Sequence, residues 1–118
     1  MISSINSSLS AIDAFGKKMG VTANNIANIE SEGFKKSRAV LQEGLNGGVE
    51  VDISQIESQG DIIYDKNVDG QIIEKELSNV DLAEEIPQTI PVKIGYEANL
   101  KVIETQEKMV GSLLDIMG

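Results

Sequence analysis

The chain has 118 residues, room for one domain, and carries 19 acidic side chains against 10 basic ones for a formal charge of −9. That balance argues against nucleic acid, whose phosphates are held by Lys and Arg, and against an anionic membrane surface. The absence of Cys excludes disulfides and thiolate metal sites, and the absence of His removes the commonest general base and metal ligand.

Hydrophobic residues make up 41% of the chain but aromatics only 3%, so the expected core is aliphatic and helix-rich. Residues 1–12 carry no charged side chain. They lack the basic start and continuous apolar run of a secretory signal, and nothing approaches the ~20 apolar residues that span a bilayer. By these rules the expectation is a soluble protein that is not exported by a cleaved signal peptide and has no direct membrane insertion.

Residues 3–28 predict a helix. Ile5, Ile12, Met19 and Ile26 recur every seven residues, and Leu9, Gly16 and Ala23 follow the first three by four. Together they form an apolar stripe, widened by Ala11 and Phe15. Gly16 and Ala23 leave room for a second helix, while Asn28 and Gly33 are stop signals.

The next stretch, 34–77, is punctuated by glycines and predicts a small β insertion. Val49, Val51 and Ile53 alternate with polar residues, the pattern of a half-buried strand. Ile62-Ile63-Tyr64 and Gln71-Ile72-Ile73 flank an Asp/Asn/Gly turn and read as a hairpin. Residues near 36–42 suit a strand or a short helix.

Residues 78–118 return to helix. Asp81 with Glu84 resembles a capping box. Pro87 and Pro91 then predict a short helix at 82–86, a break or kink, and a long helix at about 91–117, because interior proline costs about 3 kcal/mol or more. Tyr96, Ile103, Val110 and Met117 repeat every seven residues, with Leu100 and Leu114 beside them. Val102, Met109, Leu113 and Ile116 widen this stripe, and Glu97–Lys101 and Glu104–Lys108 are spaced for ion pairs. The predicted fold is mainly α with a small β insertion, segmented 1–33, 34–77 and 78–118, its terminal helices pairing in a coiled-coil-like arrangement.

Three asparagines crowd the end of the first helix: Asn24, Asn25 and Asn28. Asn is a poor helix former. Such amides either cap a fraying end or fix register against a neighbouring helix.

The string Ala23-Asn24-Asn25-Ile26-Ala27-Asn28, followed by Gly33-Phe34-Lys35, resembles the N-terminal signature of the bacterial flagellar rod and hook protein family. At the other end Asn79-Val80-Asp81-Leu82, then Tyr96-Glu97-Ala98-Asn99, Leu113 and Leu114, resemble its C-terminal signature. The length is similar to that of the short proximal rod proteins. The resemblance implies a structural axial subunit of the basal body whose terminal helices polymerise. Its implied partners are itself, other flagellar axial proteins and the flagellar type III export apparatus. Taken together, the apolar stripes and the matched motifs give the expected assembly and helix-packing residues as Ile5, Leu9, Ile12, Met19, Ala23, Asn24, Asn25, Ile26, Ala27, Asn28, Gly33, Phe34, Tyr96, Asn99, Leu100, Ile103, Val110, Leu113 and Leu114. Two departures stand out: Ser31-Glu32 replaces the usual Thr-Pro pair, and Pro87 and Pro91 interrupt a helix that the family keeps whole.

One competing motif remains. Asp65, Asn67, Asp69, Gly70 and Glu76 match the spacing of an EF-hand Ca2+ loop, although Asp, Asn and Gly are also ordinary turn residues. The alternative function is therefore a non-flagellar helical adaptor or oligomerisation module, calcium-stabilised through Asp65, Asn67, Asp69 and Glu76. Catalysis has little to stand on. The carboxylate pairs Glu84-Glu85 and Glu74/Glu76 fall on solvated faces, and no base adjoins the serines near the start.

Overall fold

The computed structural model describes residues 2–118. Its elements in chain order are α1 (Ile2–Ala27), β1 (Ser37–Glu43), β2 (Val49–Gln55), β3 (Ile62–Lys66), β4 (Ile72–Glu76) and α2 (Leu82–Met117). The molecule measures 81 × 25 × 20 Å with a radius of gyration of 21.3 Å, whereas a compact chain of this length has about 13.5 Å. It is a rod-shaped protomer with a mainly α architecture and a small β insertion.

α1 and α2 lie side by side and antiparallel. Asn25, late in α1, meets Glu85 at the start of α2, and Phe15 lies over Gly95. A Cβ on Gly95 would collide with the Phe15 ring, so this glycine sets how closely the helices approach. By the same pairing, the part of α2 after Lys108 has no helix opposite it.

The insertion is two separate antiparallel hairpins, β1–β2 and β3–β4. The uncertain segment near 36–42 is strand β1, paired from Ser37↔Gln55 to Glu43↔Val49. Gly47 and Gly48 turn the first hairpin with positive φ, and Gly70 turns the second. β1–β2 lies against α1.

α2 corrects the expectation of a broken helix: it is a single helix through Pro87 and Pro91. Both prolines are exposed and four residues apart, on one face. The rings remove the N–H donors that would have met the carbonyls of Ala83 and Pro87, and both of those residues are exposed to solvent. Only part of the expected capping box forms. The Asp81 carboxylate accepts from the Ala83 N–H at 2.9 Å, but the Glu84 carboxylate accepts from Lys36 Nζ at 2.6 Å instead of turning back to Asp81.

The buried apolar side chains are small: Ala11, Ala14, Ala39, Val80 and Val92. The largest fully buried side chain is a polar one, Asn25.

Candidate assembly surfaces and the junction that holds them

The heptad stripe of α1 does not face inward. Its buried residues are Ser8, Ala11, Ala14, Thr22 and Asn25, a face about a quarter turn away from the Ile5–Ile12–Met19–Ile26 line. Those four are half-buried, and Leu9, Gly16, Ala23, Asn24 and Ala27 are exposed. Small and polar side chains seat α1 on the β1–β2 hairpin and α2, leaving its larger aliphatic residues on the flank.

α2 leaves more apolar surface open. Towards α1 it buries Val92 and half-buries Asn99 and Ile103, with Tyr96 and Leu100 on the rim. On the side away from α1, Leu82, Ile86, Ile90 and Ile94 form a row four residues apart, and Ile90 is 59% exposed. This row was missed in the sequence because its period of four differs from the seven-residue repeat. Past Lys108, Met109, Val110, Leu113, Leu114, Ile116 and Met117 are all exposed. Between the helices lies an apolar groove of about 430 Å³, lined by Phe15, Gly16, Met19, Val92, Tyr96 and Leu100 among others.

The motif asparagines serve the inside of the protomer. Asn25 is 1% exposed. Its Oδ1 accepts from Ser37 N–H at 3.0 Å, and its Nδ2 donates to Ser37 C=O at 2.7 Å and to Glu85 Oε2 at 3.3 Å. The side-chain amide thus stands in for a missing strand at the first residue of β1 and also reaches α2. Asn28 caps its own helix: Nδ2 donates to the Asn24 carbonyl at 2.8 Å and to Asn24 Oδ1 at 3.2 Å. Gly33, with φ +67°, then turns the chain, and its N–H donates to Glu76 C=O at 2.9 Å. Asn99 donates back to Gly95 C=O at 2.7 Å.

Asn79 mirrors Asn25 at the other motif. Its Oδ1 accepts from Lys36 N–H at 2.6 Å, and its Nδ2 donates to Ile56 C=O at 2.8 Å and Ser58 C=O at 2.9 Å. Lys35, next to half-buried Phe34, donates to Ser58 C=O and to Glu76. Lys36, itself buried, pairs with Glu84. The Asn-Asn-Ile-Ala-Asn, Phe-Lys-Lys and Asn-Val-Asp segments, far apart in sequence, thus meet where both helices enter the insertion.

The four candidate calcium ligands do not converge. Asp65 pairs with Lys75 at 3.2 Å and accepts from Lys66 N–H at 2.8 Å. Lys75 and the Lys66 N–H hold its carboxyl below the usual range, the backbone bond contributing most. Asn67 Oδ1 accepts from the Asp69 and Gln71 N–H groups at 3.0 and 2.9 Å, the self-bonding of a polar turn. Glu76, opposite Ile62 at the far end of the hairpin, is held by Lys35 and the Gly60 N–H, with Lys35 the larger cause of its lowered pKa. The turn uses its oxygens to shape itself.

On α2 the expected Glu104–Lys108 pair forms at 2.7 Å, but Lys101 turns to Glu104 at 2.8 Å and not to Glu97, which faces Lys93 at 4.0 Å. The hydrogen bonds from Lys101 and then Lys108 lower the Glu104 pKa to about 2.

Long paired terminal helices, a thin insertion and apolar faces without cover define a structural subunit. Two family models match the chain: residues 5–35 match the flagella basal body rod protein family, and residues 75–116 match the flagellar basal body rod FlgEFG protein C-terminal family. Between them they span most of the chain in the order in which the two motif segments occur. The chain belongs to the flagellar basal body rod and hook protein family. It is a structural component of the flagellum, not an enzyme, and no helix among the described residues is long and apolar enough to cross a membrane. No curated protein matches the sequence.

Proposed function

We propose that this protein is an axial subunit of the flagellar rod that polymerises through α1 and α2, in the manner of a short proximal rod protein. One observation carries the reading. Among the described residues every buried apolar side chain is Ala or Val, while Leu, Ile and Met side chains on both helices remain exposed. Apolar surface of this extent is stabilised when it is removed from water, at roughly 25 cal/mol per Å², and contiguous exposed patches mark interaction sites. The α1 flank, the α2 outer row and the α2 end point in different directions. Contacts between unlike faces are heterologous and extend into helical filaments.

In this reading the helices of neighbouring copies complete the coiled-coil-like packing that one protomer leaves unfinished, with Ile5, Leu9, Ile12, Met19, Ile26, Leu100, Ile103, Val110, Leu113 and Leu114 at the contacts. Partners are further copies and other axial proteins. The uncharged start suits passage through the flagellar type III export apparatus without a cleaved signal.

The test is sedimentation velocity on the full chain and on Ile86→Ser, Ile90→Ser and Leu113→Ser variants. These side chains are exposed, so far-UV circular dichroism stays unchanged in the protomer while association weakens. Equal association of all variants would contradict the reading.

A further inference from the structure

The second hairpin has no cover within the protomer. β3–β4 packs on neither helix nor on β1–β2. Its base is tied down: the Gly33 N–H donates to the Glu76 carbonyl at 2.9 Å, and Lys75 pairs with Glu32 at 3.2 Å. A two-stranded hairpin alone is marginally stable in water, and packing against a helix is one way it gains stability.

Its register decides which side is bare. Ile62 stands opposite Glu76, Tyr64 opposite Glu74, and Lys66 opposite Ile72. Opposed residues share a face, and so do alternate residues along a strand. That face presents Ile62, Tyr64 and Ile72, with Tyr64 73% and Ile72 70% exposed. It also carries one charge of each sign, Glu74 and Lys66, both exposed. Among the described residues neither has an ion-pair partner.

α2 carries the complementary pattern. Ile90, Lys93, Ile94 and Glu97 are spaced i, i+3, i+4 and i+7, so they share the outer side of the helix with Ile86. Lys93 and Glu97 are exposed and reach each other only at 4.0 Å, the limit of an ion pair. The other open apolar surfaces lack such a pair. Residues 2–12 of α1 are uncharged, and past Lys108 the only charged side chain of α2 is Asp115.

We infer that the Ile62–Tyr64–Ile72 face of the β3–β4 hairpin lies on the Ile86–Ile90–Ile94 row of a second copy of this chain, with Glu74 meeting Lys93 and Lys66 meeting Glu97. The apolar side chains supply the attraction, and the two opposite charges fix which way the hairpin lies along the helix. The inference rests on the self-association proposed above and names what covers the outer row of α2. Hairpin and helix are unlike surfaces, so the contact is heterologous and repeats from copy to copy.

The chain has no Cys, so single cysteines report the contact. Full-length Tyr64→Cys and Ile90→Cys variants are mixed, joined with a short bis-maleimide and read by gel electrophoresis. The mixed dimer is expected well above the yield for Tyr64→Cys with Leu9→Cys, which puts the second thiol on the exposed side of α1. Adding Lys66→Glu and Glu74→Lys to the hairpin variant should lower the yield about tenfold. Adding Lys93→Glu and Glu97→Lys to its partner should then restore it, which also shows that the reversed hairpin is folded. A yield equal to the Leu9 control would overturn the inference. So would a yield indifferent to the charge reversal, a loss that the swap does not restore, or Tyr64→Cys joining to itself as readily as to Ile90→Cys. Association through the helix ends is read separately, by sedimentation of Leu113→Ser, so either reading can fail without the other.

Discussion

At the scale of single residues, the asparagines divide by burial. Removing the Asn25 side chain strips both backbone groups of Ser37 in a part-buried junction and one buried contact to Glu85, and an unsatisfied buried group costs about 1–3 kcal/mol. Asn25→Ala is expected to lower unfolding free energy by about 2–4 kcal/mol, read by urea titration. Asn24→Ala, on the exposed side, is expected to change it by less than about 0.5 kcal/mol. Equal effects would mean that the hydrogen bonds of Asn25 are not what holds β1 to the helices. Gly95→Ala gains helix propensity yet drives a methyl into the Phe15 ring. A net loss of about 1–2 kcal/mol is expected from overpacking, and a gain would show that the helices have slack there.

At the scale of elements, the helices and the second hairpin were legible because their signals are local: a seven-residue repeat, an Asp cap, an Asn/Asp/Gly turn. The inward face of α1 was not. Ser8, Thr22 and Asn25 look like surface residues until the β1–β2 hairpin lies against α1 and brings Ser37 onto Asn25. The continuity of α2 was hidden by Pro87 and Pro91, whose cost depends on whether the freed carbonyls face water or protein. Pro87→Ala with Pro91→Ala is expected to raise the stability of α2 by roughly 1–3 kcal/mol, seen as slower amide exchange over its first turns. The calcium spacing was legible too, but the hairpin places Glu76 away from the turn. Isothermal titration with millimolar Ca2+ is expected to give no heat, and a saturable signal would restore that site.

Acid acts at the same scale. Asp65 and Glu76 have lowered pKa values through lysine and backbone partners, and Glu104 through its two lysines. A carboxylate depressed in the folded state contributes stability that is present above its unfolded pKa of about 4. That contribution is lost as pH falls through the folded value. For Glu104 the window runs from about 4.5 down to about 2. Helicity of the distal half of α2 should therefore fall across this window in the wild type and be already reduced in Glu104→Gln at neutral pH. The same helicity in both at neutral pH would show that the lysine pairs contribute nothing.

At the scale of the whole molecule, an 81 Å rod with a core of Ala and Val reads as one piece of a larger structure. The two motif segments meet at one polar junction, which fixes the helices relative to the insertion and so fixes the directions in which the apolar faces point. The family could be read from the sequence because those motifs are specific. The surfaces could not, because which side of a helix is left open depends on how the protomer packs.

The most direct test is quantitative mass spectrometry of purified hook–basal bodies from the source organism. This chain is expected there at a stoichiometry comparable to the other axial proteins. Its absence from basal bodies, with the protein present in flagellated cells, would contradict it.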